Sequence, residues 1–217
     1  MNLEQARYNM VEQQLRPWDV LDQGVLDLLY VVKREDFVPQ PYRQLTFSDS
    51  EIPLGHGACM LPPKIEARAL QALKLRKSDR VLEIGTGSGY MAALLAAHAA
   101  QVWTVDIVPE LAEAAAQRFK QLDISNIGTA AGDASNGWPA QAPYDAIMVS
   151  GALPALPQVL LDQLKVGGRL LCFIGEAPLM ETRLITRQSL YDFHTEVLFE
   201  TQVPTLFCAP PPSRFNF

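Results

Sequence analysis

A chain of 217 residues, 48% hydrophobic and 19% charged, has the size of one globular domain and is too apolar to be disordered. Its net charge of −6 and sequence pI near 5.1 argue against a general nucleic-acid surface, which needs a basic stripe, and no Lys/Arg cluster supplies a local one. Three cysteines without ligand spacing point to neither a disulfide framework nor a metal site, the apolar run Met91–Ala100 is about half a membrane span, and Met1-Asn2-Leu3-Glu4-Gln5 carries no secretory pattern. A cytoplasmic protein is expected, without a membrane or nucleic-acid partner, as a monomer or weak homodimer.

In chain order, Met10, Val11, Gln14 and Leu15 give one early helix an apolar stripe, and Val20, Leu21, Val25, Leu28 and Leu29 mark a second. Five prolines and two glycines between positions 39 and 63 predict an ordered loop with short strands, and a helix resumes from Lys64 to about Leu75. From residue 79 onward β-type runs alternate with helical ones. Arg80–Ile84, Gln101–Val105, Ile127–Ala131, Asp145–Val149 and Arg169–Ile174 read as strands, and Tyr90–His98, Pro109–Leu122 and Pro157–Leu164 as helices. That alternation predicts a mainly parallel sheet with right-handed crossovers and helices on both faces. Met180–Thr186 and Glu196–Val203, with no helix between them, predict antiparallel strands finishing the sheet. The Pro-rich stretch Ala209–Ser213 reads as an extended, mobile tail.

The chemistry concentrates in Val81-Leu82-Glu83-Ile84-Gly85-Thr86-Gly87-Ser88-Gly89-Tyr90, a buried strand running into a glycine-rich turn that opens a helix. Dinucleotide sites use Gly-x-Gly-x-x-Gly and seat a pyrophosphate at the helix start. Here the pattern is Glu83-x-Gly85-x-Gly87-x-Gly89, and a carboxylate beside the turn would repel a pyrophosphate. It suits a ligand with an ammonium, a sulfonium and no phosphate, which is S-adenosyl-L-methionine. Asp106, ending the next strand and followed by Ile107, is placed to accept the two ribose hydroxyls. Gly132-Asp133-Ala134 after the third strand is placed to read the adenine, and Ser150-Gly151 after the fourth to line the methyl site.

With these residues the sequence resembles the protein-L-isoaspartate O-methyltransferases. The likeness continues through Met10-Val11-x-x-Gln14-Leu15, Arg34-Glu35-Asp36-Phe37-Val38-Pro39, Ile52-Pro53-Leu54-Gly55-His56-Gly57, Pro143-Tyr144-Asp145-Ala146-Ile147 and Leu161-x-Gln163-Leu164-Lys165-x-Gly167-Gly168-Arg169-Leu170. The glycine motif is shared by many methyltransferases; the other segments are more specific. The resemblance implies a Rossmann-like class I methyltransferase fold, with a seven-stranded, mostly parallel sheet, an antiparallel last strand and an N-terminal helical extension. Residues 1–76 would form the helical cover and substrate-side loop, and residues 77–217 the cofactor-binding domain. It implies methyl transfer to the α-carboxylate of L-isoaspartyl residues in damaged proteins, releasing S-adenosyl-L-homocysteine. The ester then collapses to a succinimide that can reopen to normal aspartate.

One departure bears on the acceptor. After Pro-Leu-Gly-His-Gly the family reads Gln-Thr-Ile-Ser-x-Pro, whereas this chain reads Ala58-Cys59-Met60-Leu61-Pro62-Pro63. Leu61 thus stands at the active-site serine position, Ala58 replaces the glutamine, and Phe173 stands where a proline is common. His56 and Cys59 flank the same loop. His56 is a candidate contact for the acceptor carboxylate; a nucleophilic role for Cys59 is disfavoured, because methyl transfer needs none. The substitutions leave open a weakened repair enzyme, a methyltransferase with a smaller or more apolar acceptor, and a non-catalytic S-adenosylmethionine-binding protein.

Overall fold

The computed structural model describes residues 2–209. The Asn2 side chain caps α1 (Leu3–Met10) by accepting the Gln5 N–H at 3.3 Å, and the chain then continues through a π-helical turn, Val11–Leu15, and a 3₁₀ turn, Arg16–Trp18. The predicted stripe holds, since Met10, Val11 and Leu15 are all buried. The second helix starts later than its apolar spacing suggested. Asp22 accepts the Val25 N–H at 3.1 Å and so fixes α2 at Gln23–Val31, leaving Val20 and Leu21 ahead of the cap. A 3₁₀ segment, Arg34–Asp36, precedes the Pro-rich stretch, which forms a second, Gln40–Leu45, and a small hairpin of β1 (Ile52–Gly55) and β2 (Ala58–Met60). Helix α3 (Pro63–Leu73) begins on a proline, whose missing N–H costs nothing at that position.

The sheet is built from β3 (Arg80–Ile84), β4 (Gln101–Asp106), β5 (Ile127–Ala131), β6 (Tyr144–Leu153), β7 (Leu164–Glu176), β8 (Leu179–Arg187) and β9 (Phe193–Thr201). Helices α4 (Tyr90–Ala96), α5 (Pro109–Gln121) and α6 (Gln158–Asp162) alternate with the strands. The spatial order is β5-β4-β3-β6-β7-β8-β9, parallel from β5 to β7, with β8 and β9 each antiparallel to the preceding strand. The chain winds outward through β4 and β5, then returns to the other side of β3. The crevice at that reversal is where open α/β sheets bind ligands.

Side chains alternate across β6: Ala146 and Met148 join the core with α3, α4 and the N-terminal helices, while Ile147 and Val149 face Leu160, Leu164 and Leu170 on the other side. Among the described residues, no helix is long and apolar enough to cross a membrane. Two strands outrun their predicted limits. β6 continues through Ser150 and Gly151, which therefore lie within the strand rather than after it. A bulge between Met148 and Ala152 is held there by the segment after β9, with the Ala152 N–H donating to the Pro204 carbonyl at 2.8 Å and the Leu206 N–H to the Ala152 carbonyl at 2.9 Å. β7 begins at Leu164, paired with Tyr144 ahead of an irregularity, and this shortens α6. Of the Pro-rich tail, residues 210–217 lie outside the described residues.

Candidate active site

The glycine loop is fixed from three sides. The Gly85 N–H donates to the Val105 carbonyl at 2.8 Å, the Gly87 N–H to Asp106 Oδ2 at 2.8 Å, and Arg118 Nη1 of α5 donates to the Ser88 carbonyl at 2.7 Å. Its glycines have different duties. Gly87 has φ +51°, and a Cβ there would sit 3.3 Å from Leu54 Cδ1 across the cleft; at Gly89 (φ +84°) a Cβ would lie 2.7 Å from the Phe119 ring, so this glycine serves helix packing. Asp106 ends β4 with both oxygens engaged, Oδ2 by Gly87 and Oδ1 by the Val108 N–H at 3.0 Å, while still lining the cleft. Asp133 accepts the Ser135 N–H at 2.8 Å, holding the turn after β5 in place.

Glu83 is fully buried. Thr104 Oγ1 donates to its Oε2 at 2.6 Å and Ser150 Oγ to its Oε1 at 3.0 Å, and Thr86 Oγ1 meets Thr104 Oγ1 at 2.7 Å. Burial pushes its carboxyl up to about 8 against the pull of these two hydroxyls, with Glu66 and Asp106 adding to the rise. Burial likewise raises Glu66 to about 7, opposed by its ion pair with Arg34.

These residues surround a cleft at the carboxyl ends of the parallel strands, with about 680 Å³ of space that opens to solvent. It shares Cys59, Leu61, Gly85, Gly87 and Ser150 with an inner recess of about 290 Å³. Gly85, Gly87, Asp106, Ile107, Gly132, Asp133, Ala134 and Ser150 line the main cleft. Glu83, Thr86 and Ser88 line the recess. Gly89 and Tyr90 face neither: Gly89 packs on α5, and Tyr90 lies buried with its ring 5.3 Å from that of Phe37. On the facing wall, Ala58, Cys59 and Leu61 line the cleft, but His56 does not. The tight hairpin turn puts His56 at φ +53° on an exposed tip, outside the lining of the cleft. Burial, then the neighbouring Glu51, pushes the Cys59 thiol up to about 12, so it stays protonated. Phe173 is a fully buried core residue of β7 away from the cleft.

Two contributions escaped the sequence. Pro204, Thr205, Leu206 and Phe207 cross the outer side of the cleft, with Leu206 Cδ2 lying 2.9 Å from the position of a Cβ on Gly151. Ser135 Oγ donates to the Cys208 carbonyl at 3.2 Å, fastening this strap. No motif marks it; the only signal is a proline-broken apolar run after the last strand. The second is Glu66, which enters the recess from α3.

Among the described residues, the lining of cleft and recess contains Glu66, Glu83, Asp106 and Asp133 and neither lysine nor arginine. Such a lining fits a cationic, phosphate-free nucleoside and opposes a diphosphate. A doubly wound sheet bearing this cleft at its switch point is a Rossmann-like class I methyltransferase fold. The family model for protein-L-isoaspartate(D-aspartate) O-methyltransferase matches residues 6–204. Relatives of that name include one from Gloeobacter violaceus, 45% identical over 166 residues (76% of this chain, 81% of the relative), and one from Pelobacter propionicus, 41% identical over 198 residues (91% and 88%). A solved protein-L-isoaspartate O-methyltransferase superposes with a TM-score of 0.79 at 26% identity, covering 92% of this chain and 65% of that one. A Plasmodium falciparum structure in complex with S-adenosyl-L-homocysteine does so at 0.74 and 21% identity, covering 91% and 96%, a likeness of fold. The chain belongs to the protein-L-isoaspartate O-methyltransferase family.

Proposed function

We propose that this chain transfers a methyl group from S-adenosyl-L-methionine to the α-carboxylate of L-isoaspartyl residues in damaged proteins, leaving S-adenosyl-L-homocysteine. The carrying observation is the acid-lined cleft without lysine or arginine, built on the glycine loop and Asp106. When bound, the cofactor supplies an electrophilic methyl on a sulfonium. Glu83, held by Thr104 and Ser150, is placed to ionise against its cationic end; Asp106 stands at the end of β4 for the ribose, and the Gly132–Ala134 turn for the adenine.

The acceptor carboxylate is already ionised at neutral pH and needs no general base. The chain's task is to hold it in line with the methyl and exclude water, and fixed geometry is worth effective molarities of about 10⁵–10⁸ M. Leu61, Cys59 and Ala58 from the hairpin side and Leu206 and Phe207 from the strap bound that space with apolar surface and a neutral thiol. Leu61 offers no hydroxyl to the carboxylate, a loss of about 1.5–3 kcal/mol if uncompensated. At about 1.4 kcal/mol per tenfold, that slows transfer by about ten- to a few-hundred-fold without abolishing it.

In this reading residues 1–76 form the cover and acceptor side and residues 77–217 the cofactor side; the core cluster running from Met10 through Leu70 to Phe173 supports their acting as one unit. Three unpaired cysteines, Cys59, Cys172 and Cys208, support a reducing, cytoplasmic setting. Methyl-labelled cofactor offered with isoaspartyl and aspartyl versions of one peptide tests the proposal. Label should enter only the isoaspartyl form; absence of label despite S-adenosylhomocysteine binding would overturn the acceptor assignment.

A further inference from the structure

Arg34 is 1% exposed, and the contacts of its guanidinium gather four separate segments. Nε donates to the Thr46 carbonyl at 3.1 Å, Nη2 to the Leu61 carbonyl at 2.7 Å, and Nη1 pairs with the Glu66 carboxylate of α3. The guanidinium carbon lies 5.0 Å from the centre of the Tyr90 ring, on the first residue of the helix that follows the glycine loop. The Leu61 contact matters most. Leu61 leaves β2 with its side chain in the cleft and is followed by Pro62 and Pro63, neither of which has an N–H to donate. A proline also confines the preceding residue to extended conformations without saying which way its carbonyl faces. Arg34 supplies that missing constraint, and Glu66, 4% exposed, is its buried counter-charge.

We propose that Arg34, held by Glu66, is a positioning residue for methyl transfer: by fixing the Leu61 carbonyl it sets the Cys59–Leu61 wall against Gly87. The proposal rests on the methyl-transfer reading above. Stability alone is a weak reason for such a pair, because replacing a buried ion pair with apolar side chains of similar size is often neutral or stabilising. What apolar side chains cannot reproduce is the donor to the Leu61 carbonyl.

The double variant R34M/E66L separates these roles. Its melting temperature should stay within a few degrees of that of the unsubstituted protein, because the two buried charges go together while the Thr46 and Leu61 carbonyls lose a donor. Its affinity for S-adenosylhomocysteine should stay within about threefold. Its kcat/KM on an isoaspartyl peptide should fall about 30- to 100-fold, and amide exchange should quicken at residues 58–61 while β3 and β6 stay protected. If R34M/E66L does not fold, R34K takes its place. It keeps the charge opposite Glu66 but not the planar fork, and should show the same pattern more weakly. Unchanged kcat/KM, loss of activity without faster exchange at 58–61, or faster exchange throughout the sheet would each overturn the proposal. Should the unsubstituted protein methylate no isoaspartyl peptide, the acceptor assignment fails, while the exchange pattern still decides whether Arg34 holds the wall.

Discussion

On the wall formed by β3, β4, β5 and β6, most contributing residues sit at or near the end of a strand, and hydrogen bonds between neighbouring strand ends fix the backbone there. The Gly85 N–H rests on Val105, the Gly87 N–H on Asp106, and the Gly132 N–H on the Asp106 carbonyl at 2.8 Å. The opposite wall is gathered from a short hairpin near residue 58 and a strap near residue 205. It is tied down by contacts remote in sequence, such as Arg34 to Leu61 and Pro204 to Ala152. The first wall has little freedom and presents charge; the second presents apolar surface, and its shape depends on which distant groups hold it. The comparison predicts that substitutions in the first wall act on cofactor affinity and those in the hairpin on the acceptor, while the strap, lying against Gly85 and Gly151, touches both.

The largest effect should come from Gly87→Val. A side chain at φ +51°, with Leu54 Cδ1 3.3 Å from its Cβ position, both strains the loop and fills the cleft. S-adenosylhomocysteine binding by calorimetry should weaken by more than about 100-fold; unchanged affinity would mean that the ligand lies elsewhere. Asp106→Ala removes the acceptor of the Gly87 and Val108 N–H groups as well as the ribose contact, and should cost about 1.5–3 kcal/mol in the same titration.

On the other wall, Leu61→Ser restores a hydroxyl where the carboxylate is to be held. It should raise kcat/KM on an isoaspartyl peptide by about tenfold, with cofactor affinity nearly unchanged. No gain there would separate this chain's acceptor from that of its family. Leu206→Ala opens the strap beside Gly151 and Gly85 and should weaken S-adenosylhomocysteine by about fivefold, roughly 1 kcal/mol of lost apolar contact, with the melting temperature barely moved.

The smallest effect is one of pH. Burial raises Glu66 to about 7 and Glu83 to about 8 from an ordinary value of 4.5, so the folded chain retains protons that the unfolded chain has released. Stability attributable to this pair is therefore fully present below about pH 4.5, is lost as pH rises to about 8, and is level beyond. A cationic ligand favours the ionised carboxylates, so the gain in melting temperature on adding S-adenosylmethionine should grow across the same window. Melting curves with and without ligand, repeated on Glu83→Gln, provide the check; a ligand gain independent of pH would show that Glu83 does not face the cation.

Residues 80 to 134 alone determine much of this protein. Strand periodicity, Pro109 at a helix start and the acid-glycine spacing around Gly85 are local properties, and hydrogen bonds among neighbouring strand ends make the local order spatial. Only tertiary structure decided the rest. Gly89 and Tyr90 belong to the motif yet face packing partners, because a strand-turn-helix unit directs just some of its residues outward. His56 looks like a ligand contact in the chain and points to solvent, because a tight hairpin turn put it at the tip. Glu66 and the 204–207 strap have no pattern of their own, and Arg34 opens a family-like segment that says nothing of its partners. They take part because the core seats the N-terminal helices over the sheet and the chain after β9 turns back to pair with β6, long-range packing that no local spacing encodes.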